Sequence, residues 1–159
     1  MTGRVYYEEL QRFPTFAYVV SVGTAAVAAG SIWAVGGRLA AAPVLILILA
    51  FTLNLLFLKV RVTDKALHVR IGLAAPLLWK SYPTNEIRVH RAVEYRPILD
   101  AGGWGMRFGR FEARACRFWN ARGNRGVLIE TPKHRYIIGS QTPERLADAL
   151  RQAGAPSDA

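Results

Sequence analysis

Phe13-Pro-Thr-Phe-Ala-Tyr-Val-Val-Ser-Val-Gly-Thr-Ala-Ala-Val-Ala-Ala-Gly-Ser-Ile-Trp-Ala-Val-Gly-Gly37, then Arg38, then Leu39-Ala-Ala-Ala-Pro-Val-Leu-Ile-Leu-Ile-Leu-Ala-Phe-Thr-Leu-Asn-Leu-Leu-Phe-Leu58, is the stretch whose reading decides the architecture. The first run holds 25 residues without a charge and the second holds 20. A helix rises about 1.5 Å per residue and a bilayer's hydrocarbon core is about 30 Å thick, so either run is long enough to cross it. We therefore expect a membrane segment over 13–58 made of two transmembrane helices, about 14–36 and 39–58. Gly36, Gly37 and Arg38 are all that joins them. So short a connection makes an antiparallel helical hairpin and brings both chain ends out on one side.

A cleaved secretory signal fits this stretch badly. The first run exceeds the about 7–15 apolar residues of a signal core, Glu8 and Glu9 sit among the leading arginines, and a second apolar run follows at once. Arg4 and Arg12 before the first helix, with Lys59, Arg61 and Lys65 after the second, outnumber Arg38 in the turn. The positive-inside rule then places both termini and everything after Lys59 in the cytoplasm, as a multi-pass protein of the inner (cytoplasmic) membrane. Tyr6, Tyr7, Phe13 and Tyr18 fall near the inner interface and Trp33 near the outer one, as an aromatic belt would.

The two helices differ in kind. In the first, Ala25 and Ala29, and Ala26 and Gly30, are spaced four apart, which lets another backbone approach closely. That face serves either as the seam with the second helix, the reading we favour, or as a docking strip for a neighbouring protein. The second helix is bulky all round. Asn54 is its one strongly polar side chain, read as structural glue that needs a partner.

Beyond Lys59 the chain changes character. Residues 59–159 carry 18 of the 21 Lys and Arg against 9 of the 11 Asp and Glu. Such a surface attracts anions: lipid headgroups, an acidic protein or nucleic acid. Period-two alternation at Leu67, Val69 and Ile71 marks a half-buried strand. Further strands are expected at 57–62, 77–82, 87–95, 105–110, 115–120, 127–131 and 135–138, separated by Gly, Pro, Asn or Asp. Some eight strands at this spacing predict an antiparallel barrel or sandwich. Thr142 as cap, Pro143 in the first turn and Glu144 at the positive end open a C-terminal helix, with Leu146 and Leu150 one turn apart. The fold class is thus membrane α+β: residues 1–12 an N-terminal cytoplasmic tail, 13–58 the hairpin, 59–153 the β-domain with its capping helix, 154–159 a tail.

Three segments carry a resemblance. Tyr95-Arg-Pro-Ile-Leu-Asp-Ala-Gly-Gly-Trp-Gly-Met-Arg107, Trp119-Asn-Ala-Arg-Gly-Asn-Arg-Gly-Val-Leu-Ile-Glu130 and Tyr136-Ile-Ile-Gly-Ser-Gln-Thr-Pro-Glu-Arg-Leu-Ala-Asp-Ala-Leu150 resemble bacterial membrane proteins with two transmembrane helices and a C-terminal PH-like domain. The likeness covers about residues 59–153. It implies a PH-like barrel closed by the last helix and says little about function. Eukaryotic PH domains often bind phosphoinositides through basic residues of the first hairpin; the corresponding turn here, Thr63-Asp64-Lys65, lacks that cluster.

Catalytic signatures are missing from the sequence. His68, His90 and His134 have no ligand spacing, no HxxxH or CxxC occurs, and neither GxSxG nor a phosphate-binding glycine loop is present. Cys116 is the only cysteine, read as a small strand residue. Ser140 reads as a lead-in to the last helix, and Glu94 and Asp100 as solvated or Arg-paired loop carboxylates. No metal, cofactor or catalytic residue is expected. The densest charge is Arg107, Arg110, Arg114, Arg117, Arg122 and Arg125, interleaved with Trp104, Phe108, Phe111, Phe118 and Trp119. These arginines form either an anion- or partner-contact face or a solvated strand face whose stems cover aromatics. The function expected is a non-enzymatic, membrane-anchored PH-like module contacting a protein partner or anionic lipid at the cytoplasmic face. The alternative is an accessory subunit of a larger membrane complex, such as a respiratory or photosynthetic assembly. Nucleic-acid binding and catalysis rank below both.

Overall fold

The computed structural model describes residues 4–156, apart from the side chains of Arg38, Val89 and His90. The elements are β1 (Val5–Arg12), α1 (Thr15–Ala34), α2 (Arg38–Leu55), β2 (Phe57–Thr63), β3 (Ala66–Ile71), β4 (Leu78–Pro83), β5 (Val89–Glu94), β6 (Gly105–Phe111), β7 (Arg114–Asn120), β8 (Arg125–Glu130), β9 (Arg135–Gly139) and α3 (Pro143–Gln152). One sheet has the order β1-β2-β3-β4 and the other β5-β8-β9-β7-β6.

The α1–α2 hairpin is an insertion within a sheet. Val5–Arg12, read from sequence as a tail, is β1, and it pairs antiparallel with β2 on the far side of the helices. The ladder runs to the helix bases, where the Phe13 amide donates to the Leu56 carbonyl at 3.1 Å. The chain therefore enters and leaves the hairpin side by side from one sheet.

Within the hairpin, α1 is the helix long and apolar enough to cross a membrane. The second, expected over 39–58, ends at Leu55 because Phe57 opens β2; its apolar part, Leu39–Leu55, falls short of that length. Apolarity cannot mark that boundary, since Leu56 and Leu58 are as buried in the domain as a spanning helix is in lipid. Ala25 is fully buried, Ala29 is half-buried, and Ala41 of α2 is buried too, whereas Ala26 and Gly30 are exposed. The small-residue stripe is thus divided between the seam and the outside.

The first sheet buries one face. Leu58, Val60 and Val62 of β2 and Leu67 and Val69 of β3 point inward, where they meet Val127, Ile129 and Ile138 of the second sheet and Leu146 and Leu150 of α3. Full burial of one such side chain contributes roughly 1.5–3 kcal/mol, so this shared core holds sheets and helix together. Trp119 Nε1 on β7 donates to Tyr82 Oη on β4 at 2.9 Å, a further tie between the sheets.

The second sheet is covered on both faces. Leu128, Ile137, Phe118 and Cys116 pack on Val93, Tyr95 and Ala101, at the back of the main core. It also departs from the antiparallel expectation: β7 and β9 run parallel. The sequence neighbours β7 and β8 do not pair, because β9 lies between them. On the edge strand β6, Gly109 lets the β5–β6 loop lie close, since a Cβ there would stand 1.9 Å from the Asp100 carbonyl oxygen. At the C-terminus α3 begins at Pro143 as expected. The Thr142 side chain does not cap it, however, and instead meets Tyr7 Oη at 2.9 Å.

Candidate functional site: a cationic groove on the first sheet

In β2 and β3, alternation puts every second side chain on the outer face once the inner ones are buried. The residues that fall there are Lys59, Arg61, His68 and Arg70. Register stacks them in two rows across the sheet: Lys59 opposite Arg70, itself opposite Trp79 of β4, and Arg61 opposite His68, itself opposite Ser81. These rows line a groove of about 690 Å³, completed by Thr63, Asp64, Lys65, Pro76 and Lys80. Trp79 stands 69% exposed at its rim.

The electrostatics favour an anion. Four cations (Lys59, Arg61, Lys65 and Arg70) line the groove with the carboxylate of Asp64, while Lys80, which also borders it, stands opposite the inward Val69. Glu8 of β1 reaches in beside them, 2.5 Å from Lys59 and 3.4 Å from Arg61. The hydrogen bond from Lys59, followed by the charges of Lys59 and Arg61, holds the Glu8 carboxyl below the usual carboxylate range. Arg70 donates to the Leu73 carbonyl at 3.4 Å, while its Nε is buried without an acceptor among the described residues. His68 is oriented by Ser81, Nδ1 to Oγ at 2.7 Å. A planar guanidinium and flexible ammonium groups on one open face suit a phosphate or carboxylate whose other end stays outside.

The six arginines singled out from sequence are dispersed. Arg110 and Arg114 flank the β6–β7 turn at one end of the hairpin, and Arg122 and Arg125 lie beyond its other end. The seven residues of β7 separate the two pairs by roughly 20 Å. Arg125 is paired with Glu144 and, at 3.9 Å, with Glu94. Arg107 donates to the Trp104 carbonyl at 2.8 Å. Arg117 lies over the rings of Phe108, 5.2 Å away, and Tyr136, 6.0 Å away. It is the guanidinium that stacks on these rings. Arg110, Arg114 and Arg122 are exposed.

The other sequence candidates have structural partners. Asn54 Oδ1 accepts from the amides of Ala74 and Ala75, at 2.8 and 3.2 Å, and its Nδ2 donates to the Ala75 carbonyl at 2.8 Å. It clamps the β3–β4 loop to the last turn of α2. Asp100 accepts from the Arg96 amide at 2.7 Å, so Glu94 and Asp100 have separate partners. Ser140 donates to Glu9 at 2.7 Å and lies 3.0 Å from Tyr7 Oη. Burial, followed by the hydrogen bond to Glu9, raises the Tyr7 hydroxyl to about 12. Cys116 is buried, and desolvation raises its thiol to about 11. The side chain of His90 lies outside the described residues, and no group of three or more His, Cys, Asp or Glu able to hold a metal ion occurs among them.

Sequence reasoning missed the groove because its cations sit on three strands and are only moderately dense along the chain. The usable signal was alternation: Lys59, Arg61, His68 and Arg70 each fall between inward apolar residues. No family model matches this chain, nor does any curated protein or solved structure.

Proposed function

We propose that the chain is a non-enzymatic module, held in the inner membrane by the α1–α2 hairpin, that uses the groove on its first sheet to contact anionic phospholipid headgroups at the cytoplasmic face. The observation that carries this reading is the position of the groove. Its lowest row, Lys59, Arg70 and Trp79, lies on strands that begin or end beside the helix bases. A cation there sits within a Debye length, about 8 Å at physiological salt, of a headgroup layer. Pairing of β1 with β2 puts Arg4 and Arg12 on the same side of the hairpin as the domain, which supports the orientation with positive flanks inside. The same pairing favours an uncleaved anchor, because cleavage after α1 would remove a strand that supplies the buried Tyr7 and Gln11.

A PH-like domain is supported by the layout: β1–β4 share one core with β8, β9 and Trp119 of β7, with α3 against it. Against that plan the hairpin is inserted after the first strand and β6–β7 after the fifth. A second reading, an accessory subunit of a larger membrane complex, is favoured by one feature: Ala26 and Gly30 are exposed on the outside of α1, open to a neighbouring helix.

The test is native mass spectrometry of the detergent-solubilised protein with added phosphatidylglycerol or phosphatidylcholine. Preferential retention of phosphatidylglycerol, lost in Lys59→Ser/Arg70→Ser, is the expected result. Equal retention of both lipids would refute the lipid reading, and a stoichiometric protein partner at native expression would favour the second.

A further inference from the structure

Two loops lie at the helix end of the domain, and both are apolar and exposed. The β3–β4 loop, Gly72-Leu-Ala-Ala-Pro-Leu77, and the first two residues of β4 present Leu73, Leu77, Leu78 and Trp79 at 45, 54, 38 and 69% exposure. The β5–β6 loop presents Ile98 and Leu99 at 67 and 72%. In a water-facing loop, so dense a set of large apolar side chains has an unfavourable surface to solvate.

Both loops are tied to the hairpin, the first along its length and the second at its end. The first is bound to α2's last turn by the Asn54 side chain and by the Leu73 amide donating to the Asn54 carbonyl at 3.1 Å. Gly72 makes the tight entry, at φ +118° and with no room for a Cβ against the Ala75 carbonyl. The second is braced internally by the Gly102 and Gly103 amides on the Ile98 and Pro97 carbonyls, at 3.0 and 2.8 Å. It leans on α1 through Trp104, whose ring lies 5.3 Å from that of Phe16 in the first helical turn. The β3–β4 loop therefore stands beside the last turn of α2, and Trp104, at the end of the β5–β6 loop, beside the first turn of α1, where a spanning hairpin leaves the hydrocarbon. There α2 itself stops short, its apolar stretch ending at Leu55. A helix shorter than the hydrocarbon thickness needs flanking apolar groups or a thinned bilayer.

We infer that these two loops are seated in the lipid interface, so that the bilayer itself is the occupant of this apolar surface and the domain lies on the membrane at a fixed tilt. The inference rests on the reading of α1–α2 as a membrane anchor. The loops extend the hydrophobic belt below the helices, Leu73, Leu77 and Leu78 on the α2 side and Ile98 and Leu99 on the α1 side. Aromatic rings at headgroup level, here Trp79 and Trp104, suit the amphipathic boundary. Seating also brings the lowest row of the groove to the headgroups without a flexible linker.

The experiment is depth-dependent quenching of a fluorophore in nanodiscs. Single cysteines replace Leu77, Leu99, Val27 or Lys133, each labelled with a nitrobenzoxadiazole dye, in lipid carrying a nitroxide on the headgroup or deep in the chain. The buried Cys116 stays, and the unsubstituted chain measures any label it takes. Val27 is in mid-α1, whereas Lys133 lies in the β8–β9 turn at the far end of its sheet. Headgroup nitroxide should quench Leu77→Cys and Leu99→Cys and leave Lys133→Cys unchanged, while chain nitroxide quenches Val27→Cys. Quenching at Val27 with Leu77 and Leu99 as bright as Lys133 would overturn the seating and leave the anchor standing. No quenching at Val27 would overturn the anchor itself.

Discussion

In the first sheet Lys59, Arg61, His68 and Arg70 share one face, in two adjacent rows. In the second sheet a larger number of arginines is scattered over two hairpin ends, an edge and an aromatic stack. Burial accounts for the difference. The first sheet has one face in the core, so register forces its charges together on the other. The second is buried on both faces, so its charges are pushed to strand ends, edges and turns. Charge density along a sequence is therefore a poor guide to charge density on a surface.

The first sheet is also the one welded to the hairpin, and the largest expected effect tests that weld. Tyr7→Ala empties a buried aromatic site and breaks the knot with Glu9, Ser140 and Thr142. Roughly 3–5 kcal/mol of stability should be lost, read by thermal unfolding in detergent. Phe108→Ala on the edge of the second sheet, 66% exposed, should change it far less. Equal losses would erase the contrast between the sheets. Asn54→Ala removes three hydrogen bonds between α2 and the β3–β4 loop and should cost about 1–2 kcal/mol. Hydrogen exchange at Ala74 and Ala75 should accelerate with it.

Arg117→Ala loses its stack on Phe108 and Tyr136 and should cost about 0.5–1 kcal/mol. Lipid retention should be unchanged, since this arginine serves the second sheet's packing. Smallest is the effect of Glu8. Its carboxyl is held low by Lys59, so the pair's stabilisation is present above the usual carboxylate pKa and lost as pH falls through the lowered value. On so exposed a pair this amounts to less than about 1 kcal/mol. The same protonation frees Lys59, so Glu8→Gln at neutral pH should strengthen anionic-lipid retention; weaker retention would show that Glu8 helps to build the site.

Much of this architecture was legible in the residues, and the illegible parts have physical causes. The helical hairpin, β3 and α3 announce themselves through uncharged length, alternation and a Thr-Pro-Glu start. Strand β1 does not, because only Tyr7 and Gln11 of its eight residues are buried, and a buried glutamine whose Nε2 donates to the Gly139 carbonyl has no apolar signature. The end of α2 is hidden because lipid and protein core accept the same Leu-Leu-Phe-Leu run. The parallel β7–β9 pair is invisible to local pattern, since it depends on which strands meet in space. The groove was half legible: alternation on β2 and β3 placed each cation outward, while their assembly with Trp79 and Ser81 required the register.

The most direct test removes equal charge from the two regions. Lys59→Ser/Arg70→Ser and Arg110→Ser/Arg114→Ser each delete two cations, and each variant is reconstituted with spin-labelled phosphatidylglycerol and compared with the parent by electron paramagnetic resonance. The immobilised lipid fraction should fall in the first variant and hold in the second, with the first effect weakened by salt. A fall of the same size in both, or in Arg110→Ser/Arg114→Ser alone, would contradict it.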